Sequence, residues 1–349
     1  MKMSNKIYTV LMAAAAAFAL TSCEWTEPES KDFTRTPVSE QDPQAYEQYL
    51  QGVRAYKDSD HKVTILSMQG TTVFPVSQSQ RLMAMPDSAD FICVWNPEGL
   101  HQEVAAEIEK VRRLKGTETV SHVDFSLAEA DWLDYANSKA DKGEPAPTLQ
   151  ERKDFFKAHA RKQLENCTKY GFSGIMFSYT SSPFNPDEIA AKDAFVNVVL
   201  SWKMAHLDSR VIIRGNIPHL AQYKQLLSMS DYLVLVLGGQ QGSASYINHI
   251  SANLSQTDFK QKTVLEVSVP LPGTSDQTGD TAEQAAVNIL SDDIVEFEPY
   301  KVLGLAVSNA SDDYFNENYY TIEDKNREYP VHLGSYANIR RAIGVFGSK

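Results

Sequence analysis

The stretch Lys169-Tyr-Gly-Phe-Ser-Gly-Ile-Met-Phe-Ser-Tyr-Thr180 decides how this chain folds. A helical pattern runs into it from residue 149, and Gly171 is placed to end that helix in the left-handed conformation that suits glycine. Phe172 to Tyr179 then has the length and apolar character of a buried strand. A second helical pattern begins at Pro186. Helix, strand and helix in this order form the repeating unit of a parallel α/β fold.

Seven further apolar runs on either side of this stretch have the length of buried strands and are separated by helical patterns. They are Lys62–Gly70, Asp90–Pro97, Thr119–Phe125, Arg210–Pro218, Asp231–Gly238, Thr263–Pro270 and Val302–Ser308. Eight such units predict an α/β fold, a (β/α)8 TIM barrel formed by residues 44–349. A doubly wound parallel sheet is the competing architecture.

The helical and loop segments follow from the same patterns. Helices are predicted at Asp42–Tyr56, Glu98–Leu114, Thr148–Lys169, Pro186–His206 and Thr281–Ser291, with a closing helix around Ile339 and Val345. The polar stretch Asn137–Pro147 contains one glycine and two prolines, which predicts a loop over one face of the fold.

The quoted stretch resembles the fourth-strand signature of glycoside hydrolase family 18, the chitinases and endo-β-N-acetylglucosaminidases. The scaffold positions of that signature are present as Tyr170, Gly171, Phe172, Gly174, Ile175 and Tyr179. Its four acidic positions hold Ser173, Met176, Ser178 and Thr180, and Thr180 replaces the catalytic glutamate. Because alternate strand residues share a face, Met176, Ser178 and Thr180 are expected to face the barrel interior and its carboxyl-terminal mouth.

The resemblance implies a chemistry that these residues cannot perform. In the family, the glutamate protonates the glycosidic oxygen while a neighbouring aspartate steadies the N-acetyl group of the substrate. A threonine hydroxyl does not give up its proton at neutral pH, so Thr180 cannot be that acid. Met176 and Ser178 bring no carboxylate either. The sequence therefore predicts a family 18-like barrel that is a pseudoenzyme.

The N-terminus predicts export and lipid attachment. Lys2 and Lys6 precede the apolar run Ile7–Leu20, and Leu20-Thr-Ser-Cys23 reads as a lipobox. We therefore expect a signal peptide at residues 1–22, a lipid anchor on Cys23 and a flexible linker at residues 23–43. An ordinary secretory signal with an incidental cysteine is the alternative. The acidic residues Glu24 and Glu27 after Cys23 are compatible with the export pattern of Bacteroidetes lipoproteins, which predicts an outer-membrane location at the cell surface. A simple acidic linker is the alternative interpretation of these residues.

Charge and cysteine usage exclude several classes of partner. The net charge of −12 argues against nucleic-acid binding. Cys93 and Cys167 are expected to be buried free thiols, and the histidines lack the spacing of a metal site. The sequence predicts no cofactor and no metal.

Candidate ligand-binding residues come from the predicted carboxyl ends of strands, where barrels place their sites. They are Trp95, Asn96, Tyr179, Thr180, Asn216, Gln240, Glu266 and Asn309. An aromatic ring surrounded by amides suits a sugar, and Trp95 is the best stacking candidate, although it could equally be a packed core residue. The amides at 216, 240 and 309 could instead hold loops together. Tyr179 lies on the opposite face of its strand from Thr180 and could pack under a helix.

Glu266 is the one carboxylate predicted in the middle of a strand. Alternate strands supply one layer of a barrel interior, so a pair between Arg214 and Glu266 inside the barrel is favoured. An unpaired Glu266 near the mouth would instead have a raised pKa and could replace the missing acid.

Three functions remain open on the sequence. The first is a lipid-anchored protein that binds N-acetylglucosamine-containing glycans, such as host N-glycans, for a polysaccharide-utilisation system together with other glycan-uptake lipoproteins of the outer membrane. The second is an active hydrolase with a relocated acid, for which Glu266 and Asp312 are the candidates. The third is a scaffold lipoprotein that binds no sugar.

Overall fold

The computed structural model describes residues 37–269, 278–314, 319–324, 327–332 and 334–347. The predicted signal peptide, Cys23 and residues 23–36 of the predicted linker lie outside the described residues. The chain divides after Gln48 into two units. In the first, the described residues form helix α1 (Val38–Gln41) and the start of helix α2 (Pro43–Lys57).

The second unit, from Tyr49 onward, alternates strands and helices. The strands are β1 (Val63–Gln69), β2 (Phe91–Trp95), β3 (Glu118–Asp124), β4 (Gly174–Tyr179), β5 (Arg210–Gly215), β6 (Tyr232–Val236), β7 (Thr263–Ser268) and β8 (Val302–Ser308), followed by β9 (Tyr319–Asp324) and β10 (Arg327–His332). The helices are α3 (Gln102–Lys115), α4 (Phe125–Asp141), α5 (Leu149–Tyr170), α6 (Pro186–Ala205), α7 (Lys224–Met229), α8 (Gly242–Leu254), α9 (Ala282–Ile289), α10 (Asp292–Val295) and α11 (Ala337–Gly347).

Strands β1 to β8 form a closed parallel barrel in sequence order, which confirms the predicted (β/α)8 fold. The barrel closes where β8 pairs with β1 in parallel, with Val63 opposite Gly304 and Leu66 opposite Val307. The eight strands predicted from sequence are the eight strands of the barrel, with ends that differ by a few residues.

Two apolar layers hold the barrel together. The inner layer contains one or two side chains from each strand: Ile65, Phe91, Cys93, Val120, Met176, Ile212, Val234, Val264 and Ala306. The outer layer packs the other strand faces against the helices, and it includes Ile175, Phe177 and Tyr179 of β4. Met176 therefore points inward and its neighbours outward, as the alternation along β4 predicts. Cys93 and Cys167 are buried and free.

Local signals explain why β4 starts where it does. Thr148 caps α5 with a capping box to Glu151, and Gly171 ends the helix with φ 71°. Gly174 then begins the strand beside Arg210 of β5. A Cβ atom at Gly174 would lie 2.0 Å from the Arg210 carbonyl oxygen, so only glycine fits there.

The structure corrects the prediction of a loop at Asn137–Pro147. Helix α4 continues to Asp141, so the connection to α5 is shorter than expected. Asp124 starts the helix by accepting a hydrogen bond from the Ser126 N–H, and Phe125 and Ala128 anchor it in the outer layer. We call α4 and α5 the helical hairpin. The antiparallel pair β9–β10 was also not predicted from sequence.

None of the helices in the described part of the chain has the length and apolar character that a membrane span requires.

Candidate functional site

The carboxyl ends of β1 to β8 form the mouth of the barrel, and the residues at the signature positions of β4 bring no carboxylate to its floor. Met176 belongs to the inner apolar layer, and Ser178 is buried above it. Thr180 follows the strand and is exposed, and its hydroxyl lies 3.1 Å from that of Ser126. Ser173 lies at the other end of the strand, where Arg112 donates to its hydroxyl.

His122 of β3 occupies the space beside Ser178. Its Nε2 lies 2.7 Å from the Ser178 hydroxyl, and its ring stacks on Trp95 of β2 with centroids 5.1 Å apart and planes at 20°. Burial, with a smaller contribution from Arg214, lowers the pKa of His122 to about 3. The imidazole is therefore neutral at physiological pH and offers one donor and one acceptor.

Arg214 of β5 completes this floor from the opposite side of Ser178. Its guanidinium lies over the Trp95 ring, 5.4 Å from the centroid. Its Nε and Nη2 donate to the two carboxylate oxygens of Glu266 at 2.7 and 2.6 Å. Glu266 is 1% exposed. The favoured sequence interpretation, an internal pair of these two residues, is confirmed, and Glu266 faces Arg214 instead of an open ligand space.

Two carboxyl groups near the mouth have pKa values that burial raises. Asp124 lies two residues beyond His122 on β3 and caps α4. Burial raises its pKa in spite of the hydrogen bond from Ser126. Glu129 of α4 accepts a hydrogen bond from the Ser181 hydroxyl, and burial raises its pKa as well. Sequence reasoning missed both, because neither matches a signature position.

The predicted amides serve to hold loops. Asn216 donates to the Thr180 and Ser181 carbonyls at 3.0 and 3.2 Å, which ties the end of β5 to the loop after β4. Asn309, with φ 48°, donates to the Val269 carbonyl at 3.1 Å and to Asp312 at 2.9 Å. These contacts correspond to the loop-holding interpretation of the sequence.

The other predicted ligand residues are divided between the mouth and the interior. Gln240 accepts a hydrogen bond from the Ser245 hydroxyl, and the exposed Asn96 donates to Gln69 at 3.1 Å. Tyr179 is not at the mouth: it is 0% exposed in the outer layer, packed on Phe125, because it lies on the outward face of β4. Trp95 remains at the mouth, half-buried between His122 and Arg214.

A cleft of about 400 Å³ opens beside the mouth, and we call it the side cleft. Its walls are the turns after β1 and β2 and the helical hairpin, and His122 contributes to its lining. Three side chains of α5 that sequence reasoning did not select line it: His159, Gln163 and Asn166. Their helical spacing places them on one face of α5, but no motif marks that face.

Known proteins show the family to which this architecture belongs. The family model described as glycoside hydrolase family 18, BT1044-like, matches residues 26–271. No curated protein matches the chain. Among the described residues, no group of three metal-binding side chains is present.

Solved structures share the fold. A selenomethionine variant of BT1044 superposes with a TM-score of 0.60 at 15% identity, covering 89% of this chain and 95% of that chain. The apo endo-β-N-acetylglucosaminidase from Cordyceps militaris gives a TM-score of 0.56 at 12% identity, covering 86% and 95%. A double mutant of the latter in complex with fucosyl-N-acetylglucosamine-Asn gives 0.55 at 12% identity, covering 85% and 95%. Because the family model matches well over half of its residues, the chain belongs to the BT1044-like group of glycoside hydrolase family 18.

Proposed function

We propose that this barrel binds N-acetylglucosamine-containing glycans at its mouth without hydrolysing them. The observation that carries the proposal is the floor of the mouth. At the signature positions it has Met176, Ser178 and Thr180, and the buried carboxylate nearby, Glu266, is held by Arg214. Substrate-assisted hydrolysis needs a proton donor and a second carboxylate, and these positions supply neither.

The same floor has the features of a sugar-binding surface. Trp95 is half-buried at the mouth, where His122 and Arg214 hold its ring in place, and the neutral His122 brings polar atoms close to that ring. Sugars present apolar ring faces beside hydroxyl groups, so an anchored aromatic ring next to neutral polar groups suits them. Family membership supports the choice of an N-acetylglucosamine glycan, since a structural relative was solved with fucosyl-N-acetylglucosamine-Asn.

Two measurements on the purified wild-type protein test the proposal. Calorimetric titration with a chitobiose-core N-glycan should show binding, and mass spectrometry after prolonged incubation should show the glycan intact. Trp95→Ala should weaken binding by about tenfold while the fold is kept. Clean release of the reducing-end sugar would contradict the inactive site, and absence of binding would favour a scaffold role.

Restoring one acid should not restore hydrolysis. In Thr180→Glu, the new carboxyl group would still lack the carboxylates that the family carries at positions 176 and 178. We therefore expect no cleavage of a labelled chitobiose-core N-glycan by this variant. Cleavage by Thr180→Glu alone would show that the rest of the pocket is competent.

A second function, hydrolysis with a relocated acid, is favoured by one observation. Asp124 shares the inward face of β3 with His122, and burial raises its pKa. The two candidates from sequence are less suited, because Glu266 is paired with Arg214 and Asp312 accepts a hydrogen bond from Asn309. If the wild type cleaves a glycan, loss of cleavage in Asp124→Asn, which keeps a helix-capping side chain, would assign the acid.

We also propose that the protein is anchored by lipid on Cys23 at the outer surface of the cell, where it presents glycans to partner lipoproteins of an uptake system. The lipobox sequence supports this proposal. Incorporation of a labelled fatty acid should be lost in Cys23→Ala. Protease treatment of intact cells should degrade the wild-type protein, and protection from the protease would contradict the surface location.

A further inference from the structure

Three cationic side chains near the mouth are engaged by protein groups. Arg214 donates to both carboxylate oxygens of Glu266 at 2.7 and 2.6 Å. Lys162 of α5 pairs with Glu98, in the turn after β2, at 2.9 Å. Lys192 of α6 is 5% exposed and donates to a backbone carbonyl at 3.1 Å. Because each is occupied by a protein acceptor, these three cations offer little attraction to an anionic ligand.

Three half-buried carboxylates lie beside the turns after β4 and β5, and uncharged donors hold them. Glu129 of α4 accepts a hydrogen bond from the Ser181 hydroxyl. Glu188 of α6 accepts one from the Phe184 N–H at 2.7 Å. Asp193 of α6 accepts from a tyrosine hydroxyl and from a glutamine amide. These donors satisfy the oxygen atoms without compensating the negative charges. We call Glu129, Glu188 and Asp193 the acidic rim.

The charges of the acidic rim act on the same space at the end of β4. Burial raises the pKa of Glu129, and the negative charge of Glu188 adds to this rise more than Arg152 opposes it. Burial raises the pKa of Tyr179 as well, and all three carboxylates of the rim add to that rise. Tyr179 is fully buried as the last residue of β4. The end of β4 therefore lies in a negative potential, which is screened less at partly buried groups than in open solvent.

We propose that the acidic rim makes the mouth selective for neutral glycans and weakens the binding of glycans that carry sialic acid or sulfate groups. The proposal rests on the proposed function, because it concerns a ligand held at the mouth beside the turn after β4. That turn, Thr180–Asn185, has no charged residue of its own, and its Phe184 is 92% exposed. A carboxylate or sulfate on a bound glycan would face the rim while Arg214, Lys162 and Lys192 stay engaged with protein groups.

A disialylated chitobiose-core N-glycan and its methyl-esterified form test the proposal, because esterification removes the carboxylate charges and keeps the size of the glycan. In calorimetry at roughly 0.01 M ionic strength, the wild type should bind the esterified form roughly 3- to 10-fold more tightly. At roughly 1 M salt, where charges are screened within a few ångströms, the ratio of the two affinities should approach one.

Two rim variants assign the selectivity to its residues. Glu129→Gln keeps an acceptor for the Ser181 hydroxyl, and Glu188→Gln keeps one for the Phe184 N–H. Each should bring the ratio of the two affinities at low salt closer to one by roughly 2- to 3-fold, through tighter binding of the disialylated glycan. Glu296→Gln makes the same change of charge at an exposed residue between α10 and β8, at the amino end of the barrel. This matched control should leave the ratio unchanged.

The other outcomes contradict the proposal. Equal wild-type affinities at low salt, or tighter binding of the disialylated glycan, would overturn the selectivity while the proposed function stands. So would a ratio that persists at high salt or is the same in the wild type and both rim variants. No binding of either probe would also overturn the selectivity, and titration with a neutral chitobiose-core N-glycan would then decide whether the proposed function fails with it. Should Glu129→Gln unfold, Glu188→Gln decides the result.

Discussion

Arg214 and Glu266 place two opposite charges inside the barrel. Each charge is stabilised there by the other instead of by water. The Nε and Nη2 atoms of the Arg214 guanidinium lie within 2.7 Å of the Glu266 carboxylate oxygens. Removing one partner leaves the other charge buried and unpaired, which strongly lowers the free energy of unfolding. Replacing both partners by apolar side chains has a much smaller effect on that free energy. The alternation of β5 and β7 was enough to predict this pair from sequence.

Glu266→Gln should therefore lower the free energy of unfolding by about 3–5 kcal/mol. The double variant Arg214→Met/Glu266→Leu should recover most of that loss, since neither charge remains. Urea denaturation of Arg214→Met, Glu266→Leu and the double variant measures the coupling between the two side chains. Additive losses would show that the two side chains do not act as a pair.

His122 gives the folded protein a defined pH dependence. Burial lowers its pKa to about 3, whereas the unfolded chain has the ordinary value near 6.5. Between these values the unfolded state binds the proton and the folded state does not. The contribution of His122 to the free energy of unfolding is therefore fully present above about pH 6.5, and it is lost progressively as the pH falls toward 3.

The difference in unfolding free energy between wild type and His122→Gln should change by up to ~1.4 kcal/mol per pH unit between pH 6 and 4. Urea denaturation at several pH values measures it, and subtraction removes the titration of other groups. His206→Gln, at an exposed histidine, is the control. A difference that stays constant over this range would mean that His122 is protonated in the folded protein.

At the scale of elements, β4 depends on a glycine where two backbones approach. Gly174→Ala would place a Cβ atom 2.0 Å from the Arg210 carbonyl oxygen, and backbone atoms cannot move aside cheaply. We expect loss of the folded state or a destabilisation above about 4 kcal/mol. Gly52→Ala, inside α2 with no atom within 4 Å of the new Cβ, should instead stabilise by about 0.5–1 kcal/mol.

Thermal unfolding of both glycine variants by circular dichroism tests this contrast. Equal Tm values for wild type and Gly174→Ala would show that β4 and β5 can move apart to accommodate the new Cβ atom without loss of stability.

Elements with clear local signals were predictable, and those without them were not. Helix α5 has its capping box and terminal glycine in the sequence, and β4 has an apolar run that is buried throughout. Helix α4 leaves Leu127, Leu133 and Tyr135 largely exposed, so its apolar residues do not form the single stripe that identifies a helix. The prediction of a loop at Asn137–Pro147 was wrong over the last five residues of this helix, because Asn137–Asp141 are mostly polar and carry no apolar stripe.

At the scale of the molecule, eight alternating strand and helix patterns predicted the barrel and the resemblance of one strand predicted its family, but the site could be predicted only in part. The absence of the family's acidic residues is evident from the sequence of residues 173–180. The contacts of Trp95 with His122 and Arg214 join three strands, and the side cleft joins two turns with a helical hairpin. Such contacts depend on strand tilt and register, which no single segment encodes.

The proposed binding of a glycan without hydrolysis predicts an effect on the stability of the whole protein. A ligand that binds only the folded state adds about 2.7 kcal/mol at a free concentration of one hundred times Kd, which for a barrel of this size raises Tm by roughly 4 °C. If the protein does not hydrolyse its ligand, as we propose, the shift in Tm produced by a chitobiose-core N-glycan should be the same after minutes and after days. Differential scanning fluorimetry measures the shift, and Trp95→Ala, with its weaker affinity, should show a smaller one at the same concentration. A shift that decays on incubation while new reducing ends accumulate would identify a working hydrolase, and the acid would then have to be sought outside residues 173–180.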